Sequence, residues 1–128
     1  MTDMFTIEII SPDQSILKQE VDEVTIPSYE GQMGILNNHI PLITFLRPGI
    51  ITIKAEGEKR FYIEEGTVEF SNNNLLILTS TARDLANFEK SKINEMLQKA
   101  KANLNTDSTD KDRYVASYKL ETLKEISQ

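Results

Sequence analysis

Between Phe5 and Thr79 apolar residues recur at every second position or in short β-branched runs. Phe5-Thr6-Ile7-Glu8-Ile9 alternates apolar with polar, the spacing of a strand with one buried face. Residues 21–26, 49–55, 59–64, 67–70 and 75–79 are further strand candidates, rich in Val, Ile, Thr and Phe. Turn chemistry separates them at Ser11-Pro12-Asp13, Glu56-Gly57-Glu58, Glu65-Gly66 and Asn72-Asn73-Asn74, where Gly and Asn accept left-handed backbone. Short strands with a turn roughly every 8–12 residues predict an antiparallel sandwich or barrel rather than a βαβ fold.

The period changes at Phe88, beyond which Gly and Pro are absent. Ile93, Met96, Leu97, Ala100 and Leu104 share one helical face. Asn87 is the expected N-cap, and the helix is expected to stop near Asn105, before the polar break Thr106-Asp107-Ser108. Thr109 with Asp112 resembles a capping box opening a second helix. Val115, Tyr118, Thr122 and Ile126 line one of its faces, and Ala116, Leu120 and Leu123 an adjacent one. The short link predicts an antiparallel hairpin. The expected organisation is therefore a β-rich domain over residues 1–84 and a helical hairpin over 85–128. Helices of this length are marginal alone in water, so the hairpin is expected to exchange between docked and undocked states.

Charge narrows the partners. The 128 residues carry a net charge of −6, with −7 on residues 1–84 and +1 on 85–128. An acidic body disfavours nucleic acid. Without cysteine there is no disulfide framework or thiolate metal site. The first residues lack a basic stretch followed by an apolar run, which argues against a secretory leader, and no 18-residue apolar run suggests direct membrane insertion. The compartment expected by default is the cytoplasm.

Catalytic signatures are sparse. His39 is the single histidine, and no G-x-S-x-G elbow accompanies it. Glu64 and Glu65 are neighbours on a strand and point to opposite faces, so they cannot act on one bond. No phosphate-cradling glycine loop occurs, and one histidine makes a poor zinc site. Lys99 and Lys101 read as a solvated helix face. No catalytic residue, metal or cofactor is expected. The richest segment runs from Glu30-Gly31-Gln32-Met33-Gly34 through His39 and Pro41-Leu42 to Leu46-Arg47-Pro48-Gly49. It reads either as a sandwich corner or as a rigid loop that presents a docking surface.

That segment resembles the epsilon-subunit family of the F-type ATP synthases. Gly31, Gly34, Ile35, Leu36, His39, Pro41 and Leu42 follow the family pattern, as do Leu46-x-Pro48-Gly49, Gly66-x-Val68-Glu69 and Thr81-Ala82. Asn37-Asn38 replaces the usual Pro-Gly, and Glu65-Gly66 the usual Gly-Gly. The resemblance covers residues 4–82 in order and spacing, and the helical tail in kind. It implies a sandwich of about ten antiparallel strands followed by a two-helix hairpin. It also implies a non-catalytic subunit of the central stalk that bridges gamma and the c-ring, peripheral to the cytoplasmic face of a bacterial inner membrane. Tyr29, Glu30, Gln32 and Met33 would face the c-ring, and a sandwich face including Phe45 would face gamma. The hairpin would reach toward the alpha/beta catalytic head as a regulator. Some members bind ATP through [I/L]-D-x-x-R-A; the matching positions, Phe88, Glu89, Lys92 and Ile93, together with Arg113 on the second helix, would make a weak nucleotide site. Two rivals stand beside this reading: a stand-alone peptide- or carbohydrate-binding sandwich with a helical dimerisation tail, and a small hydrolase centred on His39.

Overall fold

The computed structural model describes residues 4–106 and 109–127, with backbone alone for 103–106. Ten strands come first: β1 (Phe5–Ile10), β2 (Ser15–Val21), β3 (Glu23–Ser28), β4 (Gly31–Leu36), β5 (Leu42–Leu46), β6 (Gly49–Ala55), β7 (Gly57–Ile63), β8 (Gly66–Ser71), β9 (Asn74–Leu78) and β10 (Arg83–Asp84). A 3-10 turn (Leu85–Asn87) precedes α1 (Lys90–Thr106) and α2 (Asp110–Ser127). The chain divides into two units, Met1–Ala86 and Asn87–Gln128.

The strands pair in the order β10-β7-β6-β3-β5-β8-β9-β1-β2, with β4 on the remaining side of β3. Only Ser28↔Leu46 joins β3 to β5, so the sheet folds there into two layers. Alternation does the rest. Phe5, Ile7 and Ile9 of β1, Val24 and Ile26 of β3, Ile51 and Ile53 of β6, Val68 and Phe70 of β8, and Leu75 and Ile77 of β9 meet in one core. Each such side chain contributes about 1.5–3 kcal/mol of burial. Phe5 and Phe70 meet edge to face inside it, ring centroids 5.6 Å apart.

The sandwich departs from the all-antiparallel expectation at one place: β1 runs parallel to β9. The two come from distant parts of the sequence, so no hairpin dictates their direction. Strand boundaries also differ. The candidate over 21–26 is two strands broken at Asp22, which bends and donates its N–H to the Lys54 carbonyl at 2.8 Å. The segment from Glu30 to Leu42, read as a sandwich corner or a rigid docking loop, contains strand β4, and of its two glycines only Gly31 is left-handed, at φ 123°. Asn72 and Asn73, at φ 51° and 56°, form the two-residue turn between β8 and β9 that matches sheet twist.

One corner ties several motif residues together. The Thr79 hydroxyl donates to the Glu65 carbonyl at 2.6 Å, Ser80 Oγ donates to Glu65 Oε1 at 2.9 Å, and the Glu64 N–H donates to Thr81 Oγ1 at 3.0 Å. Gly66 lies where a Cβ would sit 2.7 Å from the Leu78 carbonyl oxygen. Buried Tyr62 donates its hydroxyl to Glu64 Oε2 at 3.0 Å. Burial first, and the Glu64 carboxylate second, push this phenol far above its ordinary pKa, against the opposing effect of Arg83.

The expected N-cap Asn87 is not used. The Asp84 carboxylate accepts from the Ala86 N–H at 2.9 Å and starts the 3-10 turn, so the α-helix begins later, with Glu89 accepting from Ile93 N–H. The Thr109 cap holds, its hydroxyl accepting from Asp112 N–H at 3.0 Å. Helices α1 and α2 pack on each other. Ile93 and Ala100 of α1 are buried, as are Ala116, Thr122 and Leu123 of α2. The Thr122 hydroxyl is satisfied by the Tyr118 carbonyl one turn back, at 2.8 Å. The Leu104 side chain and the break at Asp107-Ser108 lie outside the described residues.

Gly49 permits the closest approach: a Cβ there would lie 2.5 Å from Pro27 Cβ and 2.8 Å from its Cγ, and a proline ring cannot rotate aside. Gly49→Ala is expected to lower stability by about 1–3 kcal/mol. Gly34→Ala, where the nearest atom is Glu23 Oε2 at 4.0 Å, should cost far less. Urea unfolding of both variants checks this, and equal midpoints would refute the close-packing account.

Candidate docking surface

Three exposed regions of the sandwich could meet another molecule, and the strands fix where each lies. The first is the β3–β4 turn. Buried Ser28 organises it: its hydroxyl donates to the Gly31 carbonyl at 2.7 Å and accepts from Glu30 N–H at 3.2 Å. This presents Tyr29, 40% exposed, beside exposed Glu30 and Gln32. Met33 does not join them. It lies on the opposite pleat and packs against the core.

The second region is the loop between β4 and β5. Asn38 takes φ 65°, the left-handed path that a glycine would otherwise supply. Its N–H donates to Asn73 Oδ1 at 2.8 Å, and Asn73 Nδ2 donates back to Asn38 Oδ1 at 3.1 Å. The Asn73 carbonyl meanwhile accepts from Thr6 N–H at 3.0 Å, so one turn residue anchors both this loop and the start of β1. His39 packs its ring edge to face on Phe70, centroids 5.8 Å apart. Its Nδ1 lies 2.7 Å from the Ile40 carbonyl, which can only accept, so Nδ1 carries the proton. Thus clamped, the loop leaves Leu36 and Ile40 largely in solvent. With six residues in β4, the Tyr29–Glu30 turn and this loop lie at opposite ends of the strand, about 17 Å apart.

The third region is the outer face of the layer containing β5. Register places Phe45 opposite Thr67, Thr67 opposite Leu78, and Leu78 opposite Ile10, a row across four strands. Ile43 is next to Phe45 on the same face of β5, which thus turns apolar side chains outward at Ile43 (75% exposed) and Phe45 (59% exposed) and buries Thr44. Sequence reasoning reached Phe45 through resemblance but missed Ile43, Ile10 and Leu78. The signal available was the inverted alternation of β5, a Thr between two residues that should have been the buried ones.

The remaining motif residues serve the scaffold. Buried Pro48 precedes β6, whose first residue Gly49 lies against Pro27, Gly66 backs onto the Leu78 carbonyl, and Pro41 leads into β5. The hairpin positions do not converge. Glu89 and Lys92 are exposed at the start of α1, whereas Arg113 is exposed in the first turn of α2, about 20 Å along the hairpin by helical rise. Among the described residues no group of His, Cys, Asp or Glu is arranged to hold a metal, and no helix is long and apolar enough to cross a membrane.

Residues 4–84 match the family model described as ATP synthase, Delta/Epsilon chain, beta-sandwich domain. The chain is 45% identical to the ATP synthase epsilon chain of Pelagibacter ubique over 130 aligned positions, covering 99% of this chain and 100% of that one. The chain belongs to the ATP synthase epsilon family. The chloroplastic epsilon chain of Gracilaria tenuistipitata is 33% identical across 89% of this chain and 86% of the relative. In solved structures the epsilon-family fold recurs in a chain of the Euglena gracilis mitochondrial ATP synthase, with a TM-score of 0.80, 24% identity and coverage of 100% and 84%. It recurs again in the Tetrahymena thermophila mitochondrial ATP synthase, with a TM-score of 0.69, 17% identity and coverage of 96% of both chains. This epsilon-family chain is a component of an enzyme complex associated with a membrane.

The Asn38–Asn73 pair yields a direct test. Because both residues are left-handed, Gly keeps the backbone at each and removes only the side-chain bonds. A double-mutant cycle of Asn38→Gly and Asn73→Gly is expected to give a coupling of about 0.5–1.5 kcal/mol in urea unfolding. Additive effects would show that the bond from Asn73 Nδ2 to Asn38 Oδ1 is not formed in solution.

Proposed function

We propose that this chain is a non-catalytic subunit of the central stalk of a proton-translocating ATP synthase. It bridges gamma and the c-ring, so that ring rotation is delivered to the catalytic head as ATP synthesis. The observation that carries this reading is an epsilon-family sandwich that holds apolar side chains, Ile43, Phe45 and Leu78, open to solvent on one sheet. Such a face is unfavourable in water and fits a constant partner. The assemblies holding the two structural neighbours are described as OSCP/F1/c-ring and central stalk/c-ring, which supports a place on the stalk.

In this reading gamma covers the row of Phe45, Leu78 and Ile10, while the Tyr29–Glu30 turn and Gln32 face the c-ring. The helical hairpin regulates ATP hydrolysis by reaching toward the alpha/beta head. The complex lies on the cytoplasmic face of a bacterial inner membrane, with this chain as a peripheral member. Catalysis belongs to other subunits. The one imidazole is engaged by the Ile40 carbonyl and the Phe70 ring, which supports a scaffold role for His39 over a hydrolytic one. No nucleotide is needed, and the separation of Arg113 from Glu89 and Lys92 argues against a shared ATP grip.

Phe45→Glu is expected to weaken capture of purified gamma about tenfold or more while leaving the unfolding midpoint unchanged, since the residue is already exposed. Undiminished capture would remove gamma from this face. Reconstitution with the double change Glu30→Lys and Gln32→Lys is expected to lower proton-driven ATP synthesis relative to ATP hydrolysis. Intact coupling would end the assignment of the turn to the c-ring.

A further inference from the structure

Strand β4 is a sheet edge. Its pairing with β3 runs from Glu23↔Leu36 to Ser28↔Gly31, and no strand among the described residues pairs with its other side. The direction of its backbone groups follows from β3. Arg47 N–H donates to the Pro27 carbonyl, and Tyr29 N–H donates to the Phe45 carbonyl, so residues 27 and 29 face β5. Residues 24, 26 and 28 therefore face β4 and bond to Ile35, Met33 and Gly31. The intervening Gln32 and Gly34 point their N–H and C=O groups away from β3. Both residues are exposed, and their outward groups come in pairs about 6.8 Å apart along the strand.

Natural edges are normally blunted by charge, proline or a bulge. β4 has none of these: its sequence Gly-Gln-Met-Gly-Ile-Leu is uncharged, its register is unbroken, and Gly34 leaves the approach clear. We infer that this edge accepts an extended backbone segment of a neighbouring subunit, which adds as a further strand by pairing with Gln32 and Gly34. The inference rests on the stalk reading above and adds a bonding mode to it. The charge pattern selects the occupant. Glu30 and Glu23 flank the edge, and the chain carries −6, so a second copy is repelled and a neutral or basic segment is favoured.

Gly34→Pro isolates this edge. The Gly34 N–H takes no part in the β3 ladder, its φ is not left-handed, and its Cβ has room, so proline fits the hairpin yet removes a donor and blocks the incoming strand. Amide hydrogen exchange would be measured on the free chain and on the chain reconstituted with gamma and the c-ring. Exchange at Gln32 and Gly34 is expected to slow at least tenfold on assembly, and Gly34→Pro to bind at least tenfold more weakly with an unchanged unfolding midpoint. Wild-type assembly without protection at these two amides overturns the inference alone, even if the variant fails to fold. Concentration-dependent protection in the free chain overturns it in favour of self-pairing. Failure of the wild-type chain to assemble overturns the stalk reading and the inference with it.

Discussion

A strand can hydrogen-bond on two sides only, and β3 has three neighbours. It gives one side wholly to β4 and divides the other, pairing with β6 through Glu23–Thr25 and with β5 at Ser28. That division turns one sheet into two layers and closes a core between them. It also explains why the positions around it tolerate so little. Pro27 has no N–H, which costs nothing because its carbonyl alone is used on the β5 side. Gly49 must lack a side chain because the chain re-enters beside the Pro27 ring. Ser28 is buried with its hydroxyl spent on the next turn.

Strands with a plain alternation were legible in the sequence. β1, β6, β8 and β9 follow period 2 or carry β-branched runs, and Asn72-Asn73 announces its turn. The two-helix tail was legible from the disappearance of Gly and Pro and from the spacing of Ile93, Met96, Leu97 and Ala100. β4 and β5 were not. Gly31 and Gly34 look like loop residues, but only the first needs a left-handed backbone; the second is simply an edge residue with no packing duty. β5 hides because its outer face is the apolar one. The parallel β1–β9 contact is set by the closure of the whole sandwich, which no local signal records. The α-helix begins beyond Asn87, after a 3-10 turn whose Ala86 N–H is taken by the Asp84 carboxylate in an Asx interaction that no spacing of apolar residues announces.

The surface regions were legible in proportion to their dependence on motif rather than on register. Resemblance led to Tyr29, Glu30, Gln32 and Phe45. The row that joins Phe45 to Ile10 exists only once three strand pairings are known. The reverse holds for Met33, adjacent in sequence to the exposed turn yet packed against the core. The sandwich with its exposed apolar positions and the helical hairpin are two compact units of one chain.

Asn73 ties two distant turns together through one side chain. Its side-chain amide is an acceptor through Oδ1 and a donor through Nδ2, and both are committed to Asn38. Replacing that amide with a carboxylate would leave two acceptors facing each other at Asn38 Oδ1, so the contact survives only if the Asn38 amide turns its own Nδ2 toward the new carboxylate. The segment bearing Leu36 and Ile40 thus hangs on the orientation of side-chain amides, whereas the β8–β9 turn keeps a separate backbone link to Thr6.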